Sequence, residues 1–316
     1  MRIAFVGHLG AGLASRIVMM LVVCVCVMDV FGGPRALIVL SSGSSQFLQC
    51  ADNASRVLGQ IDGIEIVVKE LSKVVQSDLD SLGDGDVCLT IGARAAVGIG
   101  RKLDAEVPLV YAMVSNPGGL GLEGRANTVG ISADVSAGDQ FAIMKRVYGG
   151  VRRVGVLYSS GSSRSVEILD QARRQIPDGW SLEAVDVDAY SSVSKGVEAV
   201  VKLKVDFVWM ISDPKVYSAA TVKALLISSI QNKLRVFAFS PQVVKAGAIV
   251  GIGIDSGEQG EWGGLLSVEV LRNGMQSAQR VLVLNRVPVA LNKIVADRIG
   301  VELSSVLIQE AEYLYD

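Results

Sequence analysis

Residues 108–132 read PLVYAMVSNPGGLGLEGRANTVGIS, and this stretch decides the fold class. Its apolar run, 109–114, predicts a buried strand, and the polar residues Ser115 and Asn116 follow that strand directly. A glycine-rich link then leads to a second predicted strand at 128–132. Open α/β sheets bind ligands in loops at the carboxyl ends of their strands. The stretch therefore predicts a ligand-binding loop at the end of a sheet strand.

On either side of this stretch, strand-like and helix-like segments alternate, which predicts parallel sheets flanked by helices. The first set has predicted strands at 36–40, 64–69, 86–91 and 109–114, with helices at 46–58, 71–81 and 94–103. The second set has predicted strands at 153–158, 181–186, 205–211, 235–239 and 249–254, with helices at 135–148, 163–175, 193–202, 216–230 and 242–246. The C-terminal part has predicted helices at 257–272, 292–299 and 303–313, with a short strand near Pro288. Two similar α/β units thus follow one another.

The composition excludes several classes of protein. Half of the 316 residues are hydrophobic, 20% are charged and the net charge is −2, which suits a globular protein of two lobes rather than a nucleic-acid binder. The only histidine, His8, lies near the N-terminus, so the rest of the chain has no Ser-His-Asp or Cys-His constellation and no histidine metal site. We expect no catalytic residues, no metal and no cofactor.

The N-terminal segment has the parts of a secretory signal peptide. Basic residues precede an apolar run at 17–31, and small residues follow it. The run is shorter than the roughly 20 residues that a membrane-spanning helix needs. We predict a signal peptide at 1–34, cleaved between residues 31 and 36; an uncleaved anchor or a lipidated cysteine is the alternative. Cys50 and Cys88 would remain, either as buried thiols or in a disulfide.

A competing interpretation concerns residues 2–12, RIAFVGHLGAG, which look like a strand entering the glycine-rich turn of a dinucleotide-binding enzyme. That motif needs an acidic residue about 20 positions further on, at the end of the next strand. The strand at 36–40 instead ends in Ser41-Ser42-Gly43-Ser44-Ser45. A Rossmann-type enzyme is therefore the less favoured alternative.

Serine-rich loops at the ends of the predicted strands supply the candidate site. A hydroxyl-rich loop before a helix offers free backbone N–H groups to an anion such as a carboxylate, although the same serines would serve as helix N-caps. Asp213 follows an apolar strand and precedes Pro214, so its carboxylate could pair with a ligand ammonium or cap a helix. The candidate ligand-binding residues are Ser41, Ser42, Ser44, Gly92, Ala93, Ser115, Asn116, Ser159, Ser160, Ser162, Asp213 and Ser240.

Several segments together resemble the ABC-transporter substrate-binding family that includes tryptophan/tyrosine-type binding proteins. They are TIGARAA at 90–96, the stretch at 108–132, RVGVLY at 153–158, VDFVW at 205–209 with Ser212-Asp213, VVKAGA at 243–248 and NKIVADRIG at 292–300. The resemblance spans about residues 36–313. The chain departs from the family pattern in the loop SSGSSQF, where relatives often carry Thr-Gln followed later by His, and at Asn116, where Asp is usual.

The resemblance implies a type I periplasmic-binding-protein fold, in which a multi-strand hinge joins two doubly wound lobes and a ligand lies between them. We expect lobe 1 at 35–131, lobe 2 at 132–250 and a return to lobe 1 at 251–316. Hinge strands are expected near 128–132 and 250–255. The ligand-facing loops would be those around 41–44, 92–93, 115–116, 159–162 and Asp213.

The function implied is that of an exported, periplasmic or otherwise extracytoplasmic solute-binding protein of an ABC uptake system. It would clamp an amino acid or related carboxylate by hinge closure and dock on a membrane permease. Serine hydroxyls and backbone amides would hold the carboxylate and Asp213 the amine. We expect a monomer with no nucleic-acid partner. The alternative from another class is a periplasmic sensor that partners a membrane receptor.

Overall fold

The fold comes from a computed structural model that describes residues 33–276, 278, 281–284 and 286–316. The chain forms two lobes, each built on a sheet with flanking helices. The predicted signal peptide at 1–34 and the glycine-rich turn at 2–12 lie outside the described residues, apart from Gly33 and Pro34. Among the described helices, none has both the length and the apolar character that a membrane span requires.

The first lobe begins with strands that are rich in Ile, Val and Leu because both faces of its sheet are covered. The two strands in the middle of this sheet, at 87–91 and 109–114, consist entirely of buried residues. Its elements are β1 (Arg35–Leu40), α1 (Ser45–Leu58), β2 (Glu65–Glu70), α2 (Gln76–Asp80), β3 (Val87–Ile91), α3 (Ala93–Gly100), β4 (Leu109–Val114) and β5 (Thr128–Ser132).

The second lobe repeats the alternation of strand and helix. Its apolar strands and the inner faces of its helices form one continuous hydrophobic core. Its elements are α4 (Ala137–Val147), β6 (Arg153–Tyr158), α5 (Ser163–Gln175), β7 (Ser181–Asp186), α6 (Val193–Lys202), β8 (Phe207–Trp209), α7 (Ala219–Gln231), β9 (Arg235–Ala238), α8 (Pro241–Ala246) and β10 (Val250–Ile252).

After β10 the chain returns to the first lobe and then crosses back. The returning segment contributes α9 (Ser256–Asn273) and β11 (Val281–Val283), which completes a parallel sheet in the order β2-β1-β3-β4-β5-β11. The last elements, β12 (Val289–Asn292), α10 (Lys293–Ile299), α11 (Ser305–Glu310) and β13 (Tyr313–Tyr315), belong to the second lobe. Its sheet has the order β7-β6-β8-β9-β10-β12-β13, with β12 antiparallel to β10. The predicted fold class, two doubly wound α/β lobes, is confirmed.

The lobe boundaries differ from the prediction at the C-terminal end. The prediction assigns 251–316 to lobe 1, whereas β12 and β13 pair into the second sheet. The sequence of β12, a strand of four residues, does not indicate which sheet it joins. Its pairing with β10 places it in the second sheet. The predicted helix at 303–313 ends at Glu310, and the one at 71–81 divides into a 3-10 turn (Leu71–Lys73) and α2.

Cys50 and Cys88 are free thiols in separate hydrophobic clusters of the first lobe. Burial raises the pKa of each thiol to about 12, so both are uncharged at neutral pH. Of the two alternatives that the sequence left open, the structure shows the buried thiols.

The first lobe is held together across a long sequence separation by the close packing of α9 on α1. A Cβ atom added to Gly260 would lie 2.1 Å from the carbonyl oxygen of Cys50, and one added to Gly264 would lie 2.9 Å from that of Ala54. Only glycine allows the two helix backbones to approach this closely. The returning segment therefore docks through backbone contact as well as through apolar side chains.

We predict that Gly260→Ala destabilises the protein by about 2–3 kcal/mol, because the new methyl group would clash with main-chain atoms that cannot move aside. Gly98→Ala on α3 is the matched control, since its added Cβ would meet only Leu71 methyl groups at 3.6 Å. The control should stabilise by about 0.5–1 kcal/mol through helix propensity. Urea unfolding measures both; equal effects of the two changes would contradict the close-packing interpretation.

Candidate ligand-binding cleft

A cleft of about 470 Å³ lies between the two lobes. Ligand pockets commonly have volumes of roughly 300–1,000 Å³, so a small molecule fits. The wall combines the loop after β4, the first crossover at 132–136, the N-terminal half of α5 and the ends of β8, β9 and β10. A molecule bound here would contact both lobes.

Asp134, in the crossover after β5, joins the two sides of the cleft. Its Oδ2 accepts hydrogen bonds from the backbone N–H of Asn116 (2.8 Å) and from Ser132 Oγ (3.2 Å). Its Oδ1 accepts from Arg164 Nη2 at 2.7 Å. Asn116 belongs to the first lobe and Arg164 to α5 of the second. The carboxylate of Asp134, in the crossover between the lobes, therefore links a loop of lobe 1 to a helix of lobe 2.

The charged side of the cleft lies on α5. The side chain of Arg164 is 22% exposed, and its Nη1 lies 3.7 Å from Glu167 Oε2, one helical turn further on. Gln171 follows on the same face of the helix and also lines the cleft, as does Glu123 from the opposite lobe. A guanidinium presents several N–H donors in one plane, the geometry that suits a carboxylate.

The apolar side of the cleft is formed by Trp209 and its neighbours. The indole N–H of Trp209 donates to Gln140 Oε1 (2.7 Å), and the amide nitrogen of Gln140 donates to the carbonyl oxygen of Val135 (2.9 Å). Phe141 packs edge-on against the indole, with the ring centroids 5.3 Å apart. Phe239, at the end of β9, extends the same wall. These contacts fix the orientation of the Trp209 indole in the cleft wall.

Of the predicted site residues, Ser115 and Asn116 line this cleft. The loop that carries them turns sharply, since Asn116 has a φ of +55° and its Oδ1 accepts from the backbone N–H of Gly119 at 3.2 Å. The other predicted residues are outside the cleft wall: Ser41, Ser42, Ser44, Gly92, Ala93, Ser159, Ser160, Ser162, Asp213 and Ser240.

Several of these serines cap helices instead. Ser41 Oγ accepts from the backbone N–H of Ala95 at the start of α3 (2.9 Å). Ser162 accepts from the N–H of Ser165 in α5, and Ser240 from that of Val243 in α8, each at 3.4 Å. Their hydroxyls satisfy N–H groups that a helix cannot pair internally.

The serine-rich loop of the second lobe binds a carboxylate of the protein itself, that of Asp188. Oδ2 of Asp188 accepts from Ser159 Oγ (2.7 Å) and from the backbone N–H of Gly161 (2.9 Å). Asp186 accepts from the backbone N–H of Ser160 at 3.1 Å. The Ser159 hydrogen bond, with that from Gly161, lowers the pKa of Asp188. The donors that the sequence suggested for a ligand carboxylate thus bind these internal carboxylates.

Asp213 is likewise bound within its own lobe. It is 3% exposed, and its carboxylate accepts from Ser165 Oγ (2.5 Å) and from the backbone N–H of Lys215 (2.7 Å). Burial by itself would raise the pKa of Asp213, but hydrogen bonds from Ser162, Ser165 and Lys215 outweigh it, and the pKa is lowered. The carboxylate closes a turn before α7, whose own N-cap is Ser218.

The sequence reasoning missed Asp134, Arg164 and Glu167 and interpreted Trp209 as core. Trp209 is 1% exposed and belongs to the core, yet its edge also forms the cleft wall. The signal for the charged residues was their position: Asp134 follows strand β5 at the crossover between the lobes, and Arg164 follows the serine-rich loop. Within the described residues, no cluster of His, Cys, Asp or Glu could hold a metal ion.

A family model described as "ABC transporter substrate binding protein" matches residues 65–314. This chain belongs to that family. No curated protein matches it by sequence. The family is one of solute-binding proteins rather than enzymes, and it implies a small-molecule ligand, a membrane permease as partner and an extracytoplasmic location.

Solved structures agree with the fold of this substrate-binding protein. A ligand-free, open substrate-binding protein with adhesive properties from Clostridium difficile has a TM-score of 0.71 and 17% identity. A conserved domain protein from Vibrio cholerae has a TM-score of 0.62 and 18% identity. An ABC domain from Streptococcus pneumonia, in complex with L-Trp, has a TM-score of 0.60 and 20% identity. Each match covers 89% of this chain and 99% of the other, and at these identities the likeness concerns the fold alone.

We predict that Asp213→Asn lowers the free energy of unfolding at pH 7 by about 1.5–3 kcal/mol, because it removes a buried charge that accepts hydrogen bonds. Since folding lowers the pKa of Asp213, the carboxylate stabilises the fold above its ordinary value of 3.8 and ceases to do so as the pH falls through the folded-state pKa. The difference between wild type and variant should therefore shrink below about pH 4.

Urea unfolding at pH 7 and at pH 3–4 measures this difference. Asp170→Asn is the control, since Asp170 forms a surface ion pair with Arg173 and its loss should change little. A variant as stable as wild type at pH 7 would contradict the assignment of Asp213 to the internal network.

Proposed function

We propose that this protein is the exported ligand receptor of an ABC uptake system and that it binds an amino acid in the cleft between its lobes. Arg164 binds the ligand carboxylate, and the aromatic wall of Trp209 and Phe239 receives the side chain. The observation that carries the proposal is the guanidinium of Arg164 beside the fixed indole of Trp209, in a cavity that both lobes line.

The donors of Arg164 support carboxylate binding. Among the described residues, its hydrogen bond is to Asp134 through Nη2, and a guanidinium has five N–H groups. The ion pair with Asp134 also fixes the direction of the side chain, so that little rotamer entropy is lost when a ligand binds. A ligand carboxylate can therefore add to this ion pair without displacing it.

Acidic side chains on both lobes suit the amino group of such a ligand. Glu167 lies on the same face of α5 as Arg164 and is 51% exposed, and Glu123 lines the cleft from the lobe 1 side. When the cleft closes and excludes water, the attraction between each carboxylate and an ammonium group strengthens. The two carboxylates approach the ligand from opposite lobes, which favours the closed form.

Apolar surface next to the charged groups supports an amino acid with a large apolar side chain. Trp209, Met210 and Phe239 line the wall beside α5. The Streptococcus pneumonia protein of the same fold was solved with L-Trp, which is consistent with this ligand class. Closure is then a population shift whose size is limited by the ligand's differential affinity for the closed form.

We predict that an amino acid at 100 times its dissociation constant stabilises residues 35–316 by about 2.7 kcal/mol. This corresponds to a rise in melting temperature of roughly 5–10 °C for a protein of this size. A thermal-shift screen of the twenty amino acids, with sugars as the comparison set, identifies the class. Arg164→Gln should weaken binding of the amino acid that responds at least tenfold, by removing a charged hydrogen bond to its carboxylate.

Arg173→Gln is the matched control for Arg164→Gln, because it lies on the same helix but pairs with Asp170 on the exposed face. It should leave the affinity unchanged. Binding of sugars and not of amino acids would refute the ligand class, and equal loss of affinity in both variants would refute the role of Arg164.

Export is the remaining part of the proposal, supported by the basic start, the apolar run at 17–31 and the small residues after it. We predict that N-terminal sequencing of the protein recovered from its native host finds a first residue between 31 and 36. Recovery of an intact Met1 would contradict a cleaved signal peptide.

A further inference from the structure

Strand β4 departs from regular geometry just before it delivers its loop to the cleft. Met113 has a φ of +55°, in the left-handed region that residues other than glycine rarely adopt. The register between β4 and β5 shifts between Tyr111 and Val114, so Met113 lies in a bulge. Bulges re-aim the residues that follow them. Ser115 and Asn116 come directly after this bulge and line the cleft.

The side chain of Gln259, on α9, closes this bulge. It is 3% exposed, its Oε1 accepts from the backbone N–H of Met113 at 2.8 Å, and its Nε2 donates to the carbonyl oxygen of Ser132 at 3.2 Å. One amide thus joins the ends of β4 and β5, where the bulge interrupts their direct pairing. Without it, the N–H of Met113 would be buried and unpaired, which is costly for the fold.

Two segments that line the cleft begin just after the residues that Gln259 binds. The loop 115–118 follows β4, and the crossover that carries Asp134 follows Ser132. They are joined further on, because the backbone N–H of Asn116 donates to Asp134 and that of Ala133 donates to the carbonyl oxygen of Val114 at 2.9 Å. A displacement at the Gln259 amide would therefore move both segments together.

We propose that Gln259 is a positioning residue for the ligand site: it holds the strained bulge at Met113 and so sets where the loop 115–118 and Asp134 stand in the cleft. Gln259 does not itself line that cleft. That the loop contacts ligand rests on the proposed function; that Gln259 sets the loop's position does not.

Hydrogen exchange of the ligand-free protein, followed by mass spectrometry, tests the positioning directly. Gln259→Met keeps the side-chain length and removes both hydrogen bonds, so peptides covering 113–118 and 131–135 should exchange at least tenfold faster than in wild type. Ser267→Ala is the control, since this buried hydroxyl of the same helix donates to the carbonyl oxygen of Gly263 within α9. It should leave both peptides protected.

Gln259→Glu separates the two hydrogen bonds. The carboxylate still accepts from Met113 but no longer donates to Ser132, so exchange should rise in 131–135 and stay slow in 113–118. Unchanged exchange in Gln259→Met, or equal acceleration in Ser267→Ala, would overturn the proposal. So would a Gln259→Glu variant in which 113–118 loses its protection as fully as in Gln259→Met.

Affinity for L-tryptophan, as the probe, provides the second measurement. If the wild type binds it, Gln259→Met should bind it roughly tenfold more weakly, and Ser267→Ala should bind it as wild type does; equal affinities in all three would overturn the role in the ligand site. A wild type that binds no amino acid refutes the proposed ligand class, and the exchange experiment then decides the positioning role by itself.

Discussion

The carboxylate of Asp134 is the interaction on which the geometry of the cleft depends. It lies in the first crossover between the lobes and binds the backbone of Asn116 on one side and the guanidinium of Arg164 on the other. Because one partner of this carboxylate belongs to each lobe, the Asp134 contacts set which faces of α5 and of the loop after β4 meet across the cleft.

Polar groups near the cleft differ in whether partners within the chain use all of their hydrogen-bonding capacity. The serine-rich loop at 159–162 has the donors of an anion site, but Asp188 occupies them, and Asp213 is held by Ser165 and Lys215. A buried donor must find a partner, and here the fold supplies one from its own chain. The guanidinium of Arg164 has donors beyond its bond to Asp134, and it faces the cavity. The two kinds of polar group thus differ in whether the fold itself supplies all of their partners.

Much of the architecture could be predicted from the sequence because it follows from local periodicity. The strands β4, β5, β6 and β7 begin and end at the predicted residues; three of them are mainly apolar runs, and β7, SLEAVD, mixes polar and apolar residues. The strands β11 and β13 could not be predicted in this way. Each has three residues, and each exists because a neighbouring strand offers its edge, β5 in one case and β12 in the other.

The sequence by itself determined the alternation of strands and helices, the two α/β units, the loop at Ser115 and Asn116 and the absence of histidine chemistry after His8, because these depend on residue type and spacing. Only the tertiary structure decided which polar groups face the cleft. The sequence around a serine, aspartate or arginine at a strand end does not show which role that residue has. Whether a given one caps a helix, binds a carboxylate 29 residues away as Ser159 does, or faces the cavity depends on contacts that form when the lobes pack. The contacts that hold α9 and β11 in the first lobe, the backbone contact at Gly260 and the pairing with β5, are likewise visible only in the tertiary structure.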